Sequence, residues 1–225
     1  MAIDTIIFDL DGVLIETEQE WNEVRREFAA RHGAHWDEDD QPAVMGANSM
    51  QWAEYMRDKV GVDLAPKDIY DGVVEGLRAR YSEHLPLVEG ARAAVTSLAA
   101  RYRLGVASSS PAELIEHALE LAGIRSCFSA LVSSDEVKLG KPAPDVYLEA
   151  CRRLGCDPAR TAAVEDSTNG LRAAAAAGLA IVAIPNPAFP PSPEALALAD
   201  VVIGSVGDLT RDIICGIEKE ACDGR

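Results

Sequence analysis

Short apolar runs recur along the chain and alternate with longer segments in which the apolar residues have a helical spacing. Each run is rich in Ile, Val, Leu or Ala and is only a few residues long, which is typical of a strand buried on both faces. Strands that alternate with helices form a parallel sheet with helices packed on both sides. The pattern therefore predicts an α/β fold. Its expected strands are residues 5–8, 104–107, 130–132, 162–164, 181–184 and 201–203.

Signals for helix ends support this alternation. Ser110 precedes Pro111 and is followed three residues later by Glu113, a capping pattern that predicts the start of a helix. Comparable signals predict helices over residues 144–154 and 171–177, each followed by a glycine. These helices are expected to cover the faces of the sheet.

The stretch between the first two runs does not follow the alternation, because it contains helical patterns and no convincing strand. Thr17 and Glu20 form a predicted capping box at the start of one helix, and Ser49 and Pro66 open two others. All three tryptophans lie in this stretch and are interpreted chiefly as core residues. A helical insert is thus predicted inside the α/β fold. The expected domains are a core of residues 1–16 and 89–225 and an insert of residues 17–88.

Composition restricts the partners. The chain has 225 residues, 48% of them hydrophobic, and a formal net charge of −16, which argues against nucleic acid and anionic membranes as partners. No apolar run approaches the roughly 18 residues of a membrane helix, and the N-terminus has no basic signal segment, so a cytoplasmic protein is expected. Five cysteines without a Cys-x-x-Cys pair argue against a zinc site or a disulfide framework. The sequence slightly favours a monomer.

Acidic residues follow two predicted strands at the edge of the sheet where ligands of such folds bind. Asp9 and Asp11 follow the first run, and Glu165 and Asp166 follow the fourth. Carboxylates that converge at one edge repel each other unless a hard divalent cation neutralises them. The pattern therefore predicts a Mg²⁺ site, where the ion would also reduce the repulsion between a carboxylate nucleophile and an anionic substrate.

Phosphate chemistry is indicated by further residues at the same edge. Ser108 and Ser109 follow the second run at the start of a helix, where hydroxyl and N–H groups form a phosphate cradle, and Lys141 adds a compact positive charge. Asp9 and Asp11 point to the same side of a strand end, so one can attack phosphorus while the other transfers a proton. Each feature alone is also compatible with a turn or a helix cap, and their joint placement favours catalysis.

Four ordered motifs resemble those of the haloacid dehalogenase-like (HAD) superfamily. They are FDLDGVL at 8–14, VASS at 106–109, GKPAPD at 140–145 and VEDSTNG at 164–170. The resemblance covers essentially the whole chain and is to the subfamily that includes phosphoglycolate phosphatase, beta-phosphoglucomutase and CbbY-type phosphatases. It implies a Rossmann-like parallel-sheet core with an inserted helical cap. It also implies a Mg²⁺-dependent phosphatase that hydrolyses a small phosphorylated metabolite, such as a sugar phosphate, through an aspartyl-phosphate.

The resemblance implies a role for each motif residue. Asp9 is expected to be the nucleophile and a metal ligand, and Asp11 the general acid/base, with its backbone carbonyl on the metal. Lys141 rather than Lys138 is expected to be the motif lysine, because only Lys141 is followed by Pro-x-Pro-Asp. The expected metal set is Asp9, Asp11 and Asp166 with Glu165 in support, and the expected phosphate contacts are Ser108, Ser109 and Lys141.

Departures from the family bear on the reaction. The mutases carry a histidine near the position of Trp21 and an arginine in a Gly-x-Ser-Arg loop, where this chain has Gly-Ala-Asn-Ser at 46–49. Both differences favour hydrolysis over the first alternative, a sugar phosphomutase; the second alternative is a non-catalytic regulator that binds a phosphorylated ligand. Dehalogenation is disfavoured, because the dehalogenases lack the Asp11 acid/base and need no metal. Substrate selection is assigned to the insert residues Thr17, Trp21, Asn48, Ser49 and Trp52.

Overall fold

The computed structural model describes residues 2–44 and 47–223, with side chains described up to residue 217. Gly46, in the loop that departs from the mutases, lies outside the described residues. Six strands form one parallel sheet, and each overlaps one of the predicted apolar runs, so the predicted α/β fold is confirmed. The strands are β1 (Thr5–Phe8), β2 (Arg103–Ser108), β3 (Phe128–Ser133), β4 (Thr161–Glu165), β5 (Ala180–Ala183) and β6 (Val201–Val202).

The strand order β3-β2-β1-β4-β5-β6 places β1 between β2 and β4. Phe8 is in register with Val106 on one side and with Val164 on the other. The residues that follow these three positions therefore emerge side by side at the carboxyl edge of the sheet. Asp9, the first residue after β1, is level with Glu165 at the end of β4.

Helices cover both faces of the sheet and bury its side chains in two apolar clusters. Along β1, Ile6 and Phe8 face one cluster and Ile7 faces the other, as the two-residue repeat of a strand requires. The helices outside the predicted insert are α5 (Ala91–Ala99), α6 (Ala112–Leu121), α7 (Asp145–Leu154), α8 (Thr168–Ala176), α9 (Pro193–Leu196) and α10 (Arg211–Asp223). None of the described helices combines the length and the apolar character that crossing a bilayer requires.

The predicted insert holds the first four helices. Its two connections to the sheet run side by side, because Glu16 N–H donates to the Pro86 carbonyl (2.8 Å) and Val88 N–H donates to the Leu14 carbonyl (3.0 Å). This paired crossing lies next to the boundaries given above, which stay a prediction. The helices are α1 (Glu18–Arg31), α2 (Asp40–Val44), α3 (Ser49–Tyr55), which continues into a π-helical turn at Met56–Val60, and α4 (Pro66–Glu83).

Two of the predicted helix caps are wrong. Thr17 precedes α1, but its side chain makes no capping hydrogen bond. Ser110 is not the N-cap of α6, because that helix begins at Ala112 after Pro111 and has no side-chain cap. Both hydroxyls instead donate to the carboxylate of Asp11. A long-range contact to a carboxylate has replaced the local cap that the sequence pattern suggests.

Candidate active site

The carboxyl edge of the sheet brings together most of the residues that the motifs single out. Asp9 lies directly after β1, Ser108 is the last residue of β2, and Glu165 is the last residue of β4. Lys141 reaches the same place from the loop between β3 and α7. Asp9, Ser108, Glu165 and Lys141 are all buried, although each is polar or charged. Buried groups of this kind require partners. Lys141 pairs with Asp9 and Glu165, and Ser108 bonds to Asp11 and to the backbone of Ser110.

Lys141 is the positive centre of this group. Its Nζ lies 3.0 Å from Oδ1 of Asp9 and also donates to Oε1 of Glu165. The Tyr147 hydroxyl donates to the same Glu165 oxygen at 2.7 Å. The other oxygen of Glu165 accepts the backbone N–H groups of Asp166 (3.1 Å) and Ser167 (3.3 Å). Glu165, which is fully buried, is thereby held in one orientation and in turn fixes the lysine.

Burial shifts the acidity of these groups strongly. It raises the pKa of Asp9 to about 8; Lys141 opposes that rise, while Glu165 and then Asp11 add to it. The pKa of Asp166 is also raised, first by burial and then by the charges of Glu165 and Asp9. Burial alone would lower the pKa of Lys141, but Asp9 and Glu165 outweigh it, so that pKa is raised. One lysine therefore does not fully compensate the carboxylates around it.

The same carboxylates suit a hard metal ion. Ligand oxygens of Asp9, Glu165 and Asp166 all lie within 4.8 Å of one another. Gly12 has a positive φ of 78°, and a Cβ built there would lie 2.0 Å from Oδ2 of Asp166, so the glycine lets this carboxylate approach β1. Oxygen ligands with this density of negative charge fit Mg²⁺ or a similar cation. The side chain of Asp11 is not part of this cluster.

Gly170 gives Glu165 its space, which leads to a stability prediction. A Cβ at Gly170, in the first turn of α8, would lie 1.9 Å from the carboxyl carbon of Glu165, whose carboxylate is held by Lys141 and Tyr147. We expect Gly170→Ala to lower the free energy of unfolding by about 1–3 kcal/mol, measured by urea denaturation. Gly216→Ala is the control, because Gly216 lies in α10 with nothing within 4 Å of the added carbon. That change is expected to raise stability by about 0.5–1 kcal/mol; equal effects would contradict the prediction.

Asp11 is held by three hydroxyl groups. Thr17, at the start of the insert, donates to Oδ1, while Ser110 (2.7 Å) and Ser108 (3.2 Å) donate to Oδ2. The Ser108 hydroxyl also accepts the backbone N–H of Ser110 at 2.9 Å. The half-buried carboxylate thus connects the start of the insert with the end of β2. The Ser108 hydroxyl, an expected phosphate contact, is engaged in orienting Asp11.

Two cavities open beside these groups. The larger, of about 350 Å³, adjoins Asp9, Lys141 and Asp166, and the smaller, of about 80 Å³, lies between Asp11 and the insert. Ser109 lines both cavities, and Phe189, in the loop after β5, lines the larger one. The larger cavity has the volume to admit a phosphate-sized group, and Asp11 lines both cavities.

The predicted insert residues fall into three groups. Trp21 and Trp52 line the smaller cavity. Asn48 instead caps α3 in a reciprocal capping box, and Ser49 donates its N–H (3.0 Å) and its hydroxyl to Asp135, which follows β3. Thr17, as shown above, contacts Asp11.

Sequence reasoning missed four residues of the site. Tyr147 binds Glu165 from α7, and Glu18, Arg25 and Gln41 line the smaller cavity. Of these, Glu18 and Arg25 have a recognisable signal, because they lie three residues before and four residues after Trp21 and therefore share its face of α1. Fold and site together place buried carboxylates and a lysine at the carboxyl end of a parallel sheet, the edge where α/β enzymes bind their ligands.

Comparison with known proteins gives the family. Residues 3–178 match the haloacid dehalogenase-like hydrolases, and the chain belongs to this family. Hexitol phosphatase B of Escherichia coli (strain K12) is 31% identical over 222 residues, which cover 93% of this chain and 96% of that protein. CbbY from Rhodobacter sphaeroides, solved in complex with phosphate, superposes with a TM-score of 0.82 and 31% identity, covering 92% of this chain and 96% of that one.

A third relative is longer than this chain. The bifunctional riboflavin kinase/FMN phosphatase of Arabidopsis thaliana is 30% identical over 206 residues, which cover 91% of this chain and 54% of the relative. The chain thus spans about half the length of that protein but nearly all of hexitol phosphatase B. Relatives of this chain are phosphatases, and the resemblance seen in the sequence motifs is confirmed.

Proposed function

We propose that the chain hydrolyses small phosphate monoesters, such as sugar phosphates, through an aspartyl-phosphate on Asp9. The observation that carries this proposal is the buried Asp9, held 3.0 Å from Lys141 beside a cavity large enough for a phosphate group. Asp11 stands at the junction of the two cavities, where a leaving oxygen would emerge. Hexitol phosphatase B and phosphate-bound CbbY support the assignment by similarity.

Mg²⁺ is the proposed cofactor, since phosphatases of this family generally use a divalent metal. Asp9 and Asp166 would hold it, with Glu165 positioned behind them, and their oxygens are close enough to share one ion. When bound, the ion supplies positive charge against the carboxylates and the phosphate oxygens. Lys141 adds its own charge at the Asp9 oxygen and opposes the rise in the pKa of Asp9, so it works with the metal to favour the ionised nucleophile.

The side chains then divide the reaction into two steps. In the first, the Asp9 carboxylate attacks phosphorus and the P–O bond to the leaving group breaks, while Asp11 donates a proton to the departing oxygen. In the second, Asp11 removes a proton from water, which attacks the same phosphorus and releases phosphate and free Asp9. The hydroxyls of Thr17, Ser108 and Ser110 orient the Asp11 carboxyl for both transfers.

Phosphate release is the direct test of this proposal. In the presence of Mg²⁺, the purified protein is expected to release inorganic phosphate from at least one member of a panel of sugar, polyol, nucleotide and small-acid phosphates. Phosphate release is expected to stop when EDTA is added. Isomerised sugar phosphate from beta-glucose 1-phosphate with a bisphosphate primer, without free phosphate, would favour the mutase instead. Ligand-induced thermal stabilisation without any turnover would favour the regulator. A cytoplasmic location stays a prediction of the sequence.

A further inference from the structure

Arg25 is a buried guanidinium within the insert that lacks a full set of partners. It is only 5% exposed; Nη1 donates to Oε1 of Gln41 at 2.9 Å, and the buried Nε has no hydrogen-bond partner among the described residues. Its guanidinium carbon lies 4.5 Å from the ring centre of Trp21, 5.1 Å from that of Trp52 and 5.9 Å from that of Trp36. The ring faces offset part of the cost of burying this cation. The guanidinium thus has fewer hydrogen bonds than its five N–H groups can make, and it lines the smaller cavity, where a ligand could contact it.

Arg25 belongs to a short polar chain at the wall of the smaller cavity. Gln41, which accepts from Arg25, donates through Nε2 to Oε2 of Glu18 at 3.2 Å. All three residues line the cavity, together with Asp11. Burial lowers the pKa of Arg25 to about 10, and Glu18 is the strongest of the charges that oppose this shift. The wall therefore presents a cationic donor and an anionic acceptor side by side.

This pairing distinguishes neutral from anionic leaving groups. A hydroxyl both donates and accepts, so one hydroxylated carbon chain can accept from Arg25 and donate to Glu18. A carboxylate or a second phosphate could satisfy only Arg25 and would be repelled by Glu18 and Asp11. The faces of Trp21 and Trp52 add apolar surface for the carbon atoms of such a chain. A volume of about 80 Å³ holds several water-sized groups, at roughly 10–15 Å³ each by this measure.

We propose that Arg25, with Gln41 and Glu18, determines specificity by reading the hydroxyl groups of a neutral, polyhydroxylated leaving group. The inference rests on the proposed phosphatase function, and it narrows the substrates to monophosphates of polyols or sugars. The observation behind this inference is the smaller cavity, which Arg25 lines together with Asp11 and Ser109. A leaving group that Asp11 protonates would therefore enter the cavity that Arg25 lines. Substrates with a second anionic group are selected against.

Steady-state kinetics on three phosphate esters test this inference. The esters are a hexitol 6-phosphate, phosphoglycolate and p-nitrophenyl phosphate, which carry hydroxyls, a carboxylate and neither group, respectively. We expect Arg25→Met to lower kcat/KM for the hexitol phosphate about 10- to 100-fold, mainly through KM, the size of one lost hydrogen bond to a charged group. Activity on p-nitrophenyl phosphate should change less than about threefold. Arg26→Met is the matched control, because Arg26 is exposed on the same helix, and it should behave as the wild type on all three esters.

Glu18→Gln tests the anionic part of the proposed site. Glu18 is only half-buried, and the amide keeps the shape of the side chain. It should weaken the wild-type preference for the hexitol phosphate over phosphoglycolate about tenfold, because the repulsion of the carboxylate is removed. Equal losses on all three esters in Arg25→Met, with a lower melting temperature, would show a structural role for Arg25 and overturn the inference. A wild-type preference for phosphoglycolate that Arg25→Met abolishes would overturn it in favour of an anion site.

Binding measured without turnover separates this inference from the proposed function. In an Asp9→Asn background, hexitol 6-phosphate should change the fluorescence of the tryptophans around Arg25, with a Kd about tenfold higher when Arg25→Met is added. If the wild type releases phosphate from none of the esters but this binding persists, the phosphatase proposal fails and the specificity site stands. If the protein releases phosphate but Arg25→Met does not change its preference among the three esters, the phosphatase proposal stands and the specificity inference fails.

Discussion

Asp9→Asn is expected to lower kcat by about 10⁴-fold or more, because an amide cannot attack phosphorus and no other group stands at this position. The side chain keeps its shape, and the variant also loses a buried carboxyl whose pKa is raised to about 8, so the fold should remain stable. The measurements are initial rates of phosphate release with saturating Mg²⁺ and the circular dichroism melting curve. Asp63→Asn, an exposed aspartate of the insert, is the matched control and should retain full activity.

Trapping the intermediate sharpens this prediction. Acid quenching of the wild type with a substrate labelled in its phosphoryl group should leave label on the protein, and Asp9→Asn should leave none. Residual activity above about one per cent in the variant, confirmed as free of wild-type enzyme, would show that another group is the nucleophile. Label on the variant would lead to the same conclusion.

The sheet could be predicted from the sequence because parallel strands that are buried on both faces consist of short, continuous runs of apolar residues. Thr5–Phe8 is the clearest case, since all four residues are buried and the strand ends where the polar Asp9 begins. The site at the end of this strand could also be predicted, because the polar residues that follow parallel strands meet at the carboxyl edge of the sheet. That rule predicts Asp9, Ser108 and Glu165 at one edge of the sheet, whereas Lys141 reaches it from the longer loop between β3 and α7.

Local rules failed where a tertiary contact was stronger. Thr17 and Ser110 each precede a helix and match a capping pattern, yet both hydroxyls bind Asp11. A hydrogen bond to a carboxylate is stronger than one to a backbone N–H, and only the fold reveals that Asp11 is within reach. Arg25 shows the same limit, because an arginine on an amphipathic helix ordinarily belongs to the exposed face, whereas here three tryptophan rings surround it.

The balance of charge around Lys141 predicts that this residue contributes to stability as well as to the proposed catalysis. Its ammonium group contacts Asp9 and Glu165, and Asp166 lies close to both. Without Lys141, carboxylates that are nearly inaccessible to water would have no opposite charge beside them. Removing one partner of a buried ion pair destabilises a protein more than replacing both partners with apolar residues. The lysine therefore keeps the site assembled before any metal binds.

Lys141→Met is accordingly expected to lower the free energy of unfolding by about 3–5 kcal/mol in EDTA, measured by urea denaturation at pH 8. With saturating Mg²⁺ it should lower kcat by about 100- to 1,000-fold, because a fixed charge at the reacting group is lost. Lys138→Met is the control: Lys138 is exposed three residues earlier, and its replacement should change neither quantity appreciably. Comparable losses in both variants would remove the distinction between the two lysines.

The pH dependence of the Lys141→Met effect gives the strictest check. Burial raises the pKa of Asp9 to about 8, so the folded protein binds a proton there that the unfolded chain, with a pKa near 3.8, releases. This contribution to stability is full below about pH 4 and is lost as the pH rises through about 8. At pH 5 Asp9 is largely protonated and needs Lys141 less, so the destabilisation by Lys141→Met should be smaller at pH 5 than at pH 8. A stability loss that is independent of pH would show that the lysine acts by packing rather than by charge.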